Sequence, residues 1–517
     1  MHATAAVSHD PPIPHDDARV QHALQAALHH ARDRAAYADI LFERVFKAEA
    51  NLLGSGQVLL KPASLQGAAQ VRLVDDAGRH VGVRVGSVEP ESLRAAVDTA
   101  AEALAAEAPS PEYGLAPVPN AQRTRYGLAL HEDPRTVDPT PRLAALVRAV
   151  QSLSAEGLGA RPGVRVVPEL WAWTQVEEKW IADTDGMRKT QVLPVSFVQV
   201  VFRAVRGDAQ ARTRVRFGDL VGLSALVHDD GSLAPAMAAS LAEHRDRAVA
   251  LLDARPLTES ERVQLTHYIL HQSALVFVHE GLGHPIEADI VRAGSSAIVA
   301  PDGTARVTPL GSSVVRIVDG PAPAPDGSPL AHEGFGTELI DDEGVEVQNT
   351  VLVDGGYIVG MMHSRETAHR YGVAPTGNGF SELGDRRIVR MRNTTLCPTP
   401  GAHWVDTLEA LVRDVPLGVV LFGSLGGAVS KDGMSSSTQY GLLVRDGRVT
   451  DTLIAPGNFT ALTLGCLQTV EGYAGPVAAD GLGFCGKNGQ SRRVTDGGPA
   501  YVKLGVSPHL TLTFEGS

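Results

Sequence analysis

The sequence predicts an α+β chain, in which an N-terminal mixed α/β domain precedes a mostly antiparallel, β-rich C-terminal domain carrying a metal-site helix. Three observations lead there. Amphipathic segments with helical period alternate with strand-like runs up to about residue 250. Beyond about residue 300 short apolar runs follow one another, separated by Gly, Asp and Pro. Between them lies VFVHEGLGHPIEAD, in which His279-Glu280-Gly281-Leu282-Gly283-His284 brackets a carboxylate with two imidazoles. The 517 residues suffice for two or three domains with full cores, and 44% apolar with 20% charged residues is the balance of a soluble globular protein.

In chain order, residues 1–18 are rich in Pro, His and Asp without apolar period and read as a disordered arm. A helix is expected from Val20 to about Ala36, then a strand from Tyr37 to Phe46, then strands at Gln70 to Val74 and His80 to Val85 joined by a turn at Asp75 to Gly78. A helix over Glu91 to Ala106 leads into a proline-rich surface linker, Ala108 to Pro119. A helix at Arg142 to Ser154 precedes strands at Val164 to Val167, Glu169 to Val176 and Val192 to Ala204. The helix Leu233 to Leu252 runs toward Pro256, which places the domain boundary near 250: domains 19–250 and 251–517. A capping box at Thr258 to Glu261 opens what reads as one long buried helix to Val278, with Val263, Ile269, Leu270, Val276 and Phe277 on its apolar face. Later strands are expected at Ser313 to Val318, Val345 to Leu352, Tyr357 to Met361, Val419 to Phe422, Tyr440 to Arg445 and Arg448 to Leu453, with hairpin turns at Asp354-Gly355-Gly356 and Arg445-Asp446-Gly447. The glycines between Gly423 and Gly427 lack a strand-turn-helix nucleotide context and serve bends or close backbone approach.

Charge narrows the partners. With 46 Lys and Arg against 59 Asp and Glu, the formal charge of −13 disfavours a nucleic-acid groove or an anionic membrane surface. No apolar run approaches the roughly 20 residues of a membrane span, and the N-terminus has no signal-peptide core, so a cytosolic protein is expected. The cysteines, Cys397, Cys466 and Cys485, are too few for a disulfide framework and leave a thiol free to act as a ligand.

The usual zinc-protease helix spaces its histidines four residues apart; here the spacing is five. An ideal α-helix would leave such a pair roughly 140° apart, whereas an i→i+5 bond returns both to one face, so a π-bulge is predicted. Gly281 and Gly283 permit that distortion. Two imidazoles need a third protein ligand for a catalytic zinc. Glu287 and Asp289 are near in sequence; Cys485, in Phe484-Cys485-Gly486-Lys487, lies beside a lysine that favours thiolate.

At this point the chain resembles the TldD/PmbA family of metallopeptidases, once called modulators of DNA gyrase. The motifs that carry the likeness are His279 to His284 (HExxxH), Gly334 to Gly344 (GFGTELIDDEG), Ser364 to Ala368 (SRETA), Pro375 to Gly379 (PTGNG), Met391 to Thr394 (MRNT) and Cys485 to Gln490 (CGKNGQ). In the HExxxH-containing branch, which is TldD-like, the two histidines and the cysteine hold Zn2+, and the resemblance thereby assigns His279, His284 and Cys485. It also implies a heterodimer with a TldE/PmbA-like subunit, or else a homodimer, enclosing a narrow cleft for unfolded peptide. The chain departs from the family's pattern at Gly379 to Leu383 and at Ser430 to Met434, regions expected to face substrate. The implied activity is hydrolysis of amide bonds in unfolded or modified peptides, in peptide or natural-product maturation. Glu280, adjacent to a ligand, suits the general base, and Arg365, Asn378 and Lys487 are candidate substrate clamps. Two alternatives stand beside it: hydrolysis of a small amide conjugate, or a non-catalytic subunit that binds peptide for a related protease.

Overall fold

Alternating apolar side chains from Tyr37 onward build a long antiparallel hairpin, β1 (Tyr37–Leu52) with β2 (Val58–Val74), and the turn at Asp75 to Gly78 leads into β3 (His80–Val85). The computed structural model describes residues 14–119, 122–130, 133–156, 162–220, 222–320, 334–429, 433–508 and 510–514. Among these, β1 to β3 join β4 (Arg125–Gly127), β5 (Ala155–Glu156), β6 (Arg165–Asp183), β7 (Arg188–Arg206) and β8 (Ala209–Asp219) in one eight-stranded sheet. Its order is β3-β2-β1-β6-β7, with β4 and β8 along the far side of β7 and β5 against β6.

The two strands expected on either side of Pro168 are one strand, β6. Proline cannot donate to a ladder, but Pro168 lies beyond the last β1 pair, Leu52 with Leu170, so no β1 bond is lost there. Helices α1 (Asp17–Ala31) and α2 (Pro90–Ala106) cover one end of a sheet face through Val20, Leu24, Leu93 and Val97, against Ile40, Phe42 and Val71. Helices α3 (Thr140–Gln151) and α4 (Pro235–Ala250) cover the other end against Ala48, Ala50, Val198 and Phe202. The expected arm is corrected at its end, because α1 already begins at Asp17; residues 1–13 lie outside the described residues.

The long helix expected from Thr258 to Val278 is not formed. Its capping box is real, with Thr258 accepting from the Glu261 backbone, but α5 (Glu259–Gln264) is short and Val263 is exposed. The chain then extends as β9 (His267–His271), where Tyr268, Ile269 and Leu270 are buried. A strand covered on both faces reads as a continuous apolar run and is not distinguished from a buried helix by periodicity.

β9 lies inside an eleven-stranded sheet among the described residues. Its other members are β10 (Val315–Asp319), β11 (Thr350–Asp354) and β12 (Tyr357–Ile358), then, after the small pair β13 (Gly379–Phe380) and β14 (Ile388–Val389), β15 (Asn393–Pro398), β16 (Trp404–Val405) and β17 (Leu417–Phe422). A separate four-stranded sheet begins with β18 (Gly426–Val429) and β19 (Gly433–Thr438); β20 (Tyr440–Arg445) and β21 (Arg448–Ile454) return to the large sheet. β22 (Gly457–Leu462) and β25 (Leu510–Phe514) complete the smaller one, while β23 (Val470–Lys487) and β24 (Gln490–Gly505) form a long hairpin in the larger. The orders are β12-β11-β10-β15-β24-β9-β17-β20-β21, with β23 along β24, and β18-β19-β22-β25. Most pairs are antiparallel, as expected; β9 with β17, β15 with β24 and β16 with β23 are parallel.

The second face of the first sheet meets the later half of the chain. Leu193, Val195 and Phe197 pack against Phe335 there. Beside this apolar patch sits a buried charge network: Lys179 reaches Glu338 (3.3 Å) and Asp342 (2.5 Å), Arg72 reaches Glu343 (2.7 Å) and Arg387 reaches Asp39 (2.5 Å). Glu338, Asp342 and Glu343 of the Gly334 to Gly344 motif thus bind the first sheet. Removing one partner would strand a buried charge, which fixes how the two halves meet.

Candidate metal centre

From β9 the chain makes a tight turn at Gln272 to Ala274 and a helical turn at Val276 to Val278, then widens. The backbone N–H of His284 donates to His279 O, the i→i+5 bond predicted from the histidine spacing. The rings of His279 and His284 consequently lie 5.1 Å apart, nearly perpendicular. The glycines between them allow close packing more than they loosen the helix: a Cβ on Gly283 would fall 2.2 Å from Met391 Sδ.

Cys485 arrives on β23, just before the β-turn at Asn488-Gly489. One ligand atom from each of His279, His284 and Cys485 lies within 4.8 Å of the others, and Cys485 Sγ is 3.3 Å from His284 Nε2. Tetrahedral zinc with bonds of about 2.0–2.3 Å sets its ligand atoms roughly 3.4–3.6 Å apart, so the three donors fit that ion. Two imidazoles and a thiolate are also its preferred chemistry.

His284 has a carboxylate hydrogen-bonded to its other nitrogen, and His279 has one within ion-pair distance. His284 Nδ1 is 2.9 Å from Glu287 Oε2, and His279 Nδ1 faces Asp496 Oδ1 of β24 at 3.2 Å. Both contacts leave Nε2 for a metal, the usual carboxylate–histidine arrangement. Glu287, fully buried, also accepts from Lys487 Nζ (3.0 Å) and from the Met391 backbone (3.2 Å). Sequence reasoning proposed Glu287 and Asp289 as possible ligands; both are instead engaged by Lys487, Asp289 at 2.7 Å. Asp496 was missed, and no motif in its neighbourhood marks it.

The lysine expected to favour the thiolate does not do so, since its ammonium faces those two carboxylates and Val389 O. Burial pushes the Cys485 thiol up, but hydrogen bonds from the two imidazoles outweigh it and hold the thiol at about 5. Burial lowers His284, yet Glu287 and Cys485 lift it to about 9. The thiolate and the carboxylates thus favour protonated imidazoles, with which a metal ion would compete.

Glu280 is half-buried, and burial raises its carboxyl above the usual range. It lies against Gly427 of β18, where a Cβ would meet its Cγ at 2.9 Å. The glycine-rich stretch thus serves close approach, as the sequence suggested. β18 is the edge of its sheet, paired only with β19 among the described residues. Ser430, Lys431 and Asp432 lie outside the described residues.

The remaining candidates are committed elsewhere. Arg365 donates to Ala116 O (2.7 Å) and the Tyr37 hydroxyl (2.6 Å), tying the proline-rich linker and β1 to the later half. Asn378, fully buried, donates to Asp319 (2.7 Å) and Arg390 O (2.9 Å). Neither touches the three-ligand cluster.

Known proteins resemble this chain in sequence and in fold. Residues 266–461 match the PmbA/TldA metallopeptidase C-terminal domain. A "Metalloprotease" of Methanothermobacter thermautotrophicus is 37% identical over 234 residues, 44% of this chain and 46% of its own length. A "Zinc metalloprotease TldD homolog" of Saccharolobus solfataricus is 29% identical over 233 residues, 44% of this chain and 47% of its own. The matched stretches thus span about half the length of these relatives. The solved structure of TldE from Thermococcus kodakarensis superposes with a TM-score of 0.68 at 16% identity, covering 93% of this chain and 98% of that one. A structure from Thermotoga maritima gives 0.69 at 16%, covering 95% and 99%. The likeness to the TldD/PmbA family read from the motifs is thus borne out by a domain match, by relatives named as metalloproteases and by the fold.

Proposed function

We propose that this chain is a zinc-dependent metallopeptidase cutting amide bonds of unfolded or modified peptides. The observation that carries the reading is the cluster of His279, His284 and Cys485 with Glu280 on the same π-turn. Zinc, when bound, supplies Lewis acidity toward water and the scissile carbonyl. Glu280, its carboxyl raised by burial, takes the proton of the attacking water and returns it to the leaving amine. Glu287 and Asp496 keep both imidazoles in the tautomer that presents Nε2. The free edge of β18, beside Glu280, offers main-chain bonds to an extended peptide, which favours unfolded over folded substrates.

The proposal includes a TldE-like partner that closes the cleft, supported by the shared TldE fold, a cytoplasmic setting, and functional halves at 19–250 and 251–517. No helix among the described residues is long and apolar enough to cross a membrane.

Glu280→Gln tests the reading. It keeps size and packing, so zinc content and peptide binding should persist while turnover falls by about 10²-fold or more. Wild-type turnover by that variant would remove Glu280 from the chemistry. Failure of the zinc-loaded parent to cleave any unfolded peptide, alone or with a TldE-like subunit, would favour a binding role.

A further inference from the structure

Strand β8 carries Arg212, Arg214 and Arg216 at alternate positions, hence on one face, while Val215 between them joins the apolar core. Among the described residues no Asp or Glu forms an ion pair with any of the three. This is unusual in a chain with 59 acidic residues and a formal charge of −13. Arg214 and Arg216 are half-buried, and each is fixed by neutral acceptors. Arg216 Nε donates to Gln199 Oε1 (2.9 Å) and its Nη1 to Leu482 O (2.6 Å). Arg214 Nη1 donates to Leu425 O (3.3 Å), and its Nη2 to Ser424 O.

Three of those acceptors, Leu482, Ser424 and Leu425, lie on segments that lead to the candidate metal centre. Leu482 lies three residues before Cys485 on β23, and Ser424 and Leu425 lead directly into β18, whose Gly427 packs on Glu280. Burial lowers the Arg216 guanidinium, and the charge of Asp496, itself turned to His279, opposes that shift. Burial, with Arg216 and Arg212 alongside, pushes the Arg214 guanidinium below its ordinary range. Two oriented guanidiniums thus lack an ion pair among the described residues, Arg214 having only neutral acceptors and Arg216 only the more distant charge of Asp496.

We propose that Arg214 and Arg216 form a substrate subsite that binds a carboxylate of the peptide, so that this chain selects peptides presenting a negative charge near the cut bond. The inference rests on the metallopeptidase reading for its substrate class. Planar guanidinium groups suit carboxylate geometry, and such charge-assisted bonds are the strong ones. A peptide lying along the β18 edge would approach Arg214 at the Ser424 end of that strand. The carboxylate is either the C-terminus or an acidic side chain, and the two separate experimentally.

The test uses zinc-loaded full-length Glu280→Gln protein and an unstructured decapeptide of Ala, Gly and Ser with one central Glu. Four forms are titrated: free acid or C-terminal amide, each with Glu or Gln at the centre. Neutralising the recognised carboxylate should weaken binding about tenfold or more. Loss on amidation identifies the C-terminus; loss on Glu replacement identifies the side chain. Adding Arg214→Gln or Arg216→Gln should collapse the charged-to-neutral ratio toward one, and Arg214→Lys should restore part of it. Because the ratio is internal to each protein, a general loss of affinity does not mimic the result, and two separate arginine variants guard against one failing to fold. Equal binding of all four forms, binding of none, or a ratio that survives in both glutamine variants overturns the proposal. If the ratio behaves as expected while the parent hydrolyses no peptide, the carboxylate subsite stands and the peptidase reading falls.

Discussion

Replacing Glu287 by Gln should separate a metal-orienting carboxylate from one that only fills space. Its two oxygens have divided duties: Oε2 accepts from His284 Nδ1 (2.9 Å) and Lys487 Nζ (3.0 Å), while Oε1 accepts from the Met391 N–H (3.2 Å). Glutamine retains one acceptor. With its oxygen toward His284, the amide NH2 faces the Met391 N–H; flipped, it faces the imidazole and the ammonium. Either way a buried donor loses its partner, at a cost of about 1–3 kcal/mol. Lys487 keeps Asp289 at 2.7 Å, which holds the cost within that range. The imidazole also loses its orienting charge, for which a 10- to 100-fold drop in metal affinity is the usual scale. Competition of the protein with a chelator for zinc reads the affinity, and thermal unfolding of the metal-free form reads the stability. If the zinc Kd is unchanged while stability falls, Glu287 packs the core without steering His284, and the carboxylate–histidine argument is wrong.

The other predictions probe ligand set, base and assembly. The parent should bind about one zinc per chain, and Cys485→Ser or His284→Ala should lose most of it by metal analysis; full occupancy in the serine variant would reject the thiolate. Gly427→Ala sets a methyl 2.9 Å from Glu280 Cγ, so kcat should fall by on the order of 10²-fold with zinc retained; loss of zinc instead would mean the strain spreads to the ligands. Acid should weaken the join between the halves. Burial pushes Glu338 up, but Lys179, Arg492 and Arg493 hold it down at about 2. A carboxyl depressed in the fold stabilises above its ordinary pKa, and that contribution is lost as pH falls through about 4.5 toward 2. Glu338→Gln should therefore flatten the acid limb of a stability profile; an unaltered limb assigns it to other groups.

Much of this was legible because spacing constrains geometry. A spacing of five from His279 to His284 admits one face only through an i→i+5 bond, and that bond is present. The turn at Asp446-Gly447 likewise has both residues at positive φ, as its two-residue hairpin requires. Illegible features were those decided by distant partners. β9 looks helical until β17 and β24 are seen to cover its edges. The β23–β24 hairpin, rich in glycine, shows little alternation, although Asn488-Gly489 was a usable hairpin cue. Asp496 gains meaning only from standing opposite His279. The acidic motif Gly334 to Gly344 carries family likeness without joining the cluster of His279, His284 and Cys485, because its work is to meet Lys179 and Arg72.

The placement of β24 between β15 and β9 has a consequence for biosynthesis. β9 and the two histidines leave the ribosome early, yet the strand that completes β9's edge, and the thiol that completes the ligand set, follow only after residues 285–484 have been made. Until β17 is made neither edge of this apolar strand has its partner, and until β24 is made one edge stays open, the sort of species that aggregates or recruits chaperones. A nascent chain stalled before Cys485 would hold His279 and His284 without the thiol that stands beside them in the fold.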